Sequence, residues 1–405
     1  MFICSMRKIT LFLFVITLSF GSSAQWTNLN TGTNIDLFGL SFVNDSVGYV
    51  SGNFGTILKT KNGGKNWESV DYSLQFYLSG IHFFDSLHGY AVGQNGLIIE
   101  TTDGGKNWTQ RYIRAGVDLF NLAFFSTKRG IAVGLNGKYI ELLDSGSTWE
   151  SHTLQNRNNL RSVGYNDSGV TIIVGDSGTI LRKTNPFDTF VDISFNTDIR
   201  LNDIQMFDNI VYITGGWLND SLNKVESIFL KSIDSGKTYT EFNTDGLTEL
   251  NLMYFINKDT GYITGNNNSL VRTYDGFSTF HKVTTSTNNS ITNVFFSSSL
   301  VGYATTVGGS IMKTVVGGGW GVSAPEVESE EINIFPNPTS SLLYISTIKP
   351  ISHYYVFSLD GRELESGEWG SIKKLDFSNR ECGMYTVILS LSNGDILIEK
   401  VVVDR

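Results

Sequence analysis

The chain is poor in the things that hold a small exported protein together from outside its core. Of 405 residues only Cys4 and Cys382 are cysteine, so no disulfide framework is available. Proline is also scarce: four of the five lie at or beyond Pro325, which leaves the preceding stretch almost free of it and marks a boundary in composition. An excess of positive charge is missing too. The formal charge is −9, and losing Arg7 and Lys8 with a leader takes it to −11, which argues against nucleic acid or anionic lipid as the main partner. The one long apolar run, Ile9 to Phe20, follows Arg7 and Lys8 and precedes Ser22-Ser23-Ala24. Its length falls short of the ~20 residues a membrane helix needs, so residues 1–24 read as a cleaved signal peptide, and no transmembrane segment is expected. His82, His88, His152, His281 and His353 are scattered without metal-ligand spacing, so neither metal nor cofactor is expected.

What is abundant is glycine, at 42 residues, and aromatic residues, at 13%, both placed periodically. Trp26, Trp67, Trp108 and Trp149 stand 41 apart; Phe190 follows at the same step, Tyr239 after 49, Phe280 after 41 and Trp320 after 40. Aligned on their opening residue, the units begin at Leu37, Leu78, Leu119, Leu160, Leu201, Leu250 and Ile291. A period of this length is that of a β-propeller. Within a unit the pattern is four short strands. In the second they read Ile81-His82-Phe83-Phe84, Gly89-Tyr90-Ala91-Val92, Leu97-Ile98-Ile99-Glu100-Thr101 and Asn107-Trp108-Thr109-Gln110. The fold class is therefore all-β: a seven-bladed propeller over residues 25–322. Gln25 to Leu29 is expected to supply the outermost strand of the seventh blade and close the ring. Trp320 competes for that slot from a glycine-rich run.

A turn of the form Thr/Ser-x-Asp-x-Gly precedes the aromatic in several units. Asp103, Asp144 and Asp234 are placed to fold back onto the amides of their own turns, with Gly105, Gly146 and Gly236 taking a left-handed angle. Trp108, Trp149 and Tyr239 then return to the core, as Phe280 does after Asp275. Asn62 and Asn185 replace the acid in two units, which favours a hairpin staple over calcium binding or catalysis.

These turns resemble the Asp-box, or bacterial-neuraminidase, repeat, and the whole unit resembles the photosystem II assembly-factor family of seven-bladed propellers over about residues 25 to 322. The resemblance specifies fold more than function. The sialidases share the box, but their Arg-Ile-Pro is absent and the units number seven; glycosidases that pair two such propellers around a cleft have no counterpart in a single one.

Residues 323–331 read as a linker. Residues 332–405 resemble the C-terminal sorting domain of the type IX secretion system of Bacteroidetes. The matching pieces are Pro336-Asn337-Pro338, Gly361 in Asp360-Gly361-Arg362, Gly383 and Tyr385 in Gly383-Met384-Tyr385, and a closing strand from Lys400. The resemblance implies a β-sandwich handled by the type IX machinery, and a cargo that ends released or attached at the outer-membrane surface.

For the propeller, topology puts the inter-unit loops and the turns between second and third strands on one face. The unit with the 49-residue step has eight extra residues around Trp217 in such a turn. Phe76, Tyr77, Tyr112, Arg114, Arg157, Arg161 and Arg200 are assigned to inter-unit loops of the same face, which predicts a site for a protein or glycan. Asp36, Asp118 and Asp203 would be the acids of an alternative, a glycan-active enzyme. A third reading is an assembly factor for a surface complex. The sequence favours a non-catalytic binding module.

Overall fold

The computed structural model describes residues 26–70, 75–111, 116–127, 129–143, 148–195, 198–219, 224–244, 246–315, 332–347, 350–358, 363–369, 374–391 and 396–404. Strands dominate, because β-branched and aromatic residues alternate with small ones in runs of four to eight, bounded by glycine turns. Seven four-stranded antiparallel sheets form the blades, each in simple up-and-down order. Their innermost strands open at Leu37, Leu78, Leu119, Leu160, Leu201, Leu250 and Ile291, every one of them buried.

The ring closes by a strand from the other end of the propeller. Thr27–Leu29 pairs antiparallel with Ile311–Thr314, giving the seventh blade its fourth strand. Trp26, ahead of it, is wholly buried, edge-on to Tyr262 and Phe296. Trp320 lies outside the described residues.

Adjacent blades are joined by a repeated aromatic stack. Tyr49 of blade one lies flat on Phe83 of blade two at 3.4 Å between centroids, and Trp108 meets Phe83 edge-on at 5.9 Å. Tyr303, Phe42 and Trp67 repeat the arrangement between blades seven and one. Gly89 shows why a glycine precedes the tyrosine: a Cβ there would stand 2.7 Å from the Phe83 ring. At several junctions a cation then crosses from one blade to the next. Lys59 donates to the carbonyl of Gly104 (2.7 Å) and Arg182 to that of Ser235 (2.8 Å), each from a third strand to the box turn of the next blade.

The box turns are staples. Thr101 Oγ1 accepts from the amides of Gly105 (2.9 Å) and Asp103, and Asp103 Oδ1 accepts from the Asn107 amide (2.9 Å). These bonds hold the Asp103 carboxyl down at about 2. Asp234 bonds the amides of Lys237 and Thr238, and Asp275 that of Thr279. Gly105 and Gly236 have φ of 84° and 75°. In the sixth blade Phe277 fills the same slot with φ 73°, its ring buried and stacked on Phe229 at 3.8 Å. Packing there overrides a backbone angle that disfavours any side chain. Trp149, Tyr239 and Phe280 all pack against the cores; Asp144 and Gly146 lie outside the described residues.

The C-terminal part pairs a three-stranded sheet (Ile332–Phe335, Leu342–Thr347, Lys374–Asp376) with a four-stranded one (Glu363–Glu368, Ile351–Ser358, Gly383–Leu391, Ile396–Val403). Leu343, Val356, Leu375, Phe377, Val387 and Val401 are among the residues that fill its core. Asn337, between Pro336 and Pro338, donates to the carbonyl of Lys400 (2.7 Å) and accepts from the amide of Val402 (2.9 Å), so the entry motif is tied to the closing strand. Tyr385 donates to the Glu381 carbonyl (2.7 Å), and Gly383 stands opposite Val403. Gly361 lies outside the described residues. Among those described, no helix is long and apolar enough to cross a membrane.

Candidate binding face

The face that carries the inter-blade loops is built on tight turns between second and third strands, Asn53–Gly55, Gln94–Gly96, Leu135–Gly137 and Asp176–Gly178. Each turn has a left-handed residue at its centre: Phe54, Asn95, Asn136 and Ser177, with φ between 55° and 58°. Asparagine tolerates that angle; phenylalanine does so only at a cost. Gly93, before the second of these turns, is required because a Cβ would collide with the Tyr77 carbonyl, to which Gln94 donates its amide.

The acids of this face serve as latches. The Asn95 amide donates to Asp118 Oδ1 (2.9 Å), and the Gly308 amide to Asp36 Oδ1 (2.8 Å), each bond running between neighbouring blades. Asp203 is not on the face. It sits within the innermost strand Leu201–Phe207, buried, accepting from Ser162 Oγ of blade four (2.7 Å) and from the Met253 amide of blade six (2.9 Å). Loss of water raises its carboxyl to about 6 against those bonds. The three acids are thus separate structural contacts.

The basic and aromatic set is dispersed. Arg161 belongs to the strand Leu160–Tyr165, not to a loop; its Nε bonds Asp176, and its guanidinium lies 5.8 Å from the centroid of Phe120. Arg200 pairs with Glu249 at 3.2 Å. Phe76 and Tyr77 are half-buried, Phe76 packed on the core of blades one and two, while burial and the bond to Asp118 push the Tyr77 hydroxyl well above its usual range. Arg157 is exposed and pairs with no acid among the described residues. Tyr112 and Arg114 lie outside them.

Trp217 is likewise on a strand and not a loop. The extra residues prolong the hairpin Ile210–Asn219 with Lys224–Ser232, which sets Trp217 opposite Glu226. The backbone ladder runs out to Asn219 opposite Lys224, beyond the length of the sister blades.

Sequence reasoning missed a different aromatic group. The second residue of the innermost strand is Phe38 in blade one and Phe120 in blade three, both half-buried. In sister blades that position is polar and holds the next blade: Ser79 donates to the Leu119 carbonyl (2.6 Å) and Asn202 to that of Leu250 (2.8 Å). Phe38 and Phe120 can form no such bond. Phe38 meets Tyr77 edge-on, and beyond it Phe54 is 65% exposed at the tip of its turn, across Asp36 from Val307 of blade seven, 41% exposed. The signal was an aromatic ring at a position its sister units keep polar.

Residues 18–110 match the family described as photosynthesis system II assembly factor YCF48, and residues 333–404 match the secretion system C-terminal sorting domain. A domain of the second kind marks a chain for export by type IX secretion, to the cell surface or beyond. Among solved structures, YCF48 bound to a D1 peptide is similar with a TM-score of 0.59 at 16% identity, over 72% of this chain and 97% of that one. YCF48 from Cyanidioschyzon merolae gives 0.58 at 18%, over 71% and 98%. A streptogramin B lyase gives 0.58 at 10%, over 72% and 97%. At these identities the likeness is one of fold. No curated protein matches the sequence.

Proposed function

We propose that this chain, a YCF48-like propeller joined to a type IX sorting domain, acts outside the cell as a non-catalytic binding module that takes an extended protein segment on the inter-blade-loop face. The signal peptide and, after export, the sorting domain are removed in this reading. One observation carries it: Phe38, Phe54 and Phe120 occupy positions where sister blades hold polar residues suited to the fold. An exposed ring held at a strained backbone angle, as Phe54 is, flanked by partly accessible rings, is the kind of anchor a protein interface uses, and exposed Arg157 adds a cation for acidic or carbonyl groups. A relative in fold takes a peptide, which is consistent with such a ligand. Asp36, Asp118 and Asp203, the acids an enzyme reading nominates, each accept structural bonds, which supports the binding reading over it.

The test is binding of the chain from Gln25 onward to a peptide array, with a glycan array alongside. Phe54→Asn and Phe120→Ser, substitutions that copy the sister blades, should each reduce peptide signal about tenfold, the loss of one good anchor. Signal on glycans alone, or peptide binding untouched by both changes, would overturn the reading.

A further inference from the structure

On the opposite face, where the box turns lie, blade seven differs from its sisters. The turn between its first and second strands carries Leu300 and Val301, which are 1% and 3% exposed. Counted back from the glycine that opens the second strand, the corresponding pair is Leu87-His88 in blade two, where Leu87 is 50% exposed and His88 exposed, and Asp259-Thr260 in blade six. Leu300 thus stands buried where blades two and six present Leu87 and Asp259 to water, whereas the Val301 position is buried in blade four too, as Val170 in that blade's own core.

The apolar cluster that holds the pair takes in residues of the C-terminal domain. On the four-stranded sheet Tyr354, Val356, Val387 and Leu389 face the sandwich core. Tyr355, Phe357 and Ile388 alternate with them and so belong to the outer face. That face should be wet, yet these three are buried, at 9%, 2% and 0%, in one cluster with Leu300, Val301 and the core at the seam of blades seven and one. Both surfaces are apolar at the positions that meet, and neither would be expected to be so in a freely tethered domain.

We propose that the Leu300-Val301 turn is a docking site for the chain's own sorting domain, which travels packed against blade seven with its Tyr355–Phe357–Ile388 face shielded. A tether supplies a high effective concentration, so a modest apolar contact suffices to keep the domain seated. Undocking uncovers a flat apolar sheet surface, and the domain passes from a masked to an open form without changing its own fold.

The chain from Gln25 onward has Cys382 as its single, exposed cysteine, which accepts a fluorescent label within the sorting domain. In the docked form the dye's slow rotational correlation time is that of the whole molecule. Leu300→Asp with Val301→Thr, copying blade six, should shorten it several-fold and raise hydrogen exchange in the outer sheet, with the circular dichroism of the propeller unchanged. Leu87→Asp in blade two should change neither. A native chain whose label already tumbles as a free domain would overturn the proposal, and so would a double variant as slow and as protected as the native protein.

Discussion

Lys313 in blade seven donates its ammonium to the carbonyl of Gly63 in the box turn of blade one, at 3.1 Å and 250 residues apart in the chain. Lys59 with Gly104 and Lys231 with Gly276 make the same contact at ordinary junctions, so the seam where the ring closes is built as those two are. Thr27–Leu29 adds to it a strand that, alone among the described blade strands, does not follow its neighbour in sequence.

Trp26→Ala should therefore act as a large core truncation. Removing a fully buried indole costs about 3–5 kcal/mol, read as a lower midpoint in urea unfolding with an unchanged slope. A cost below about 1 kcal/mol would mean that the closing strand is dispensable.

Asp203 makes stability fall as pH rises. Its folded carboxyl titrates near 6 against an ordinary 3.8, so the contribution is complete below about pH 4 and lost through pH 6. Relative to Asp203→Asn, the native chain should lose roughly 3 kcal/mol between pH 4 and pH 7. Thermal unfolding of both proteins across that range gives the difference directly, and parallel curves would refute the assignment.

In the box turn the threonine should matter more than the acid. Thr101→Val leaves the buried amide of Gly105 without an acceptor, a cost of about 1–3 kcal/mol. Asp103→Asn should be tolerated at neutral pH, because Asn62 already makes the same bond to the Asn66 amide in blade one. The native acid, held near 2, keeps its contribution until the pH falls from about 4 towards 2. Denaturant melts of the two variants rank them.

Phe54→Asn should trade binding for stability. Asparagine suits the left-handed angle that phenylalanine holds at 55°, so the variant should gain about 1 kcal/mol while peptide capture weakens. Calorimetry and the peptide array measure the two effects on one protein.

The ring was legible because blade spacing is set by backbone geometry: leucine openers, glycine turns and returning aromatics recur wherever the hydrogen-bond ladder requires them. The box turn was legible for the same reason, since its bonds run within five residues. The candidate face was not. Arg161 reads as a free cation until Asp176 is seen to hold it, and Trp217 reads as a loop residue until the hairpin is seen to run on to Asn219. Phe38 and Phe120 look like core rings in an aromatic-rich chain, and only their position in the strand sets them apart. Leu300 and Val301 could not be distinguished from Leu87 without the second domain that covers them.

The pairing of Thr27–Leu29 with Ile311–Thr314 also works as a gauge of length. The segment that enters the pairing first must wait for one made nearly 290 residues later, the separation of Thr27 from its partner Lys313 being 286. Until then the array has two bare edges and no circumference, and closing so long a loop contributes its entropy cost at the last step. A chain cut short anywhere before Thr314 is left as an open arc that sticky edges and proteases can recognise. Only a complete one becomes a circle, so intactness of the polypeptide is inspected by its own topology.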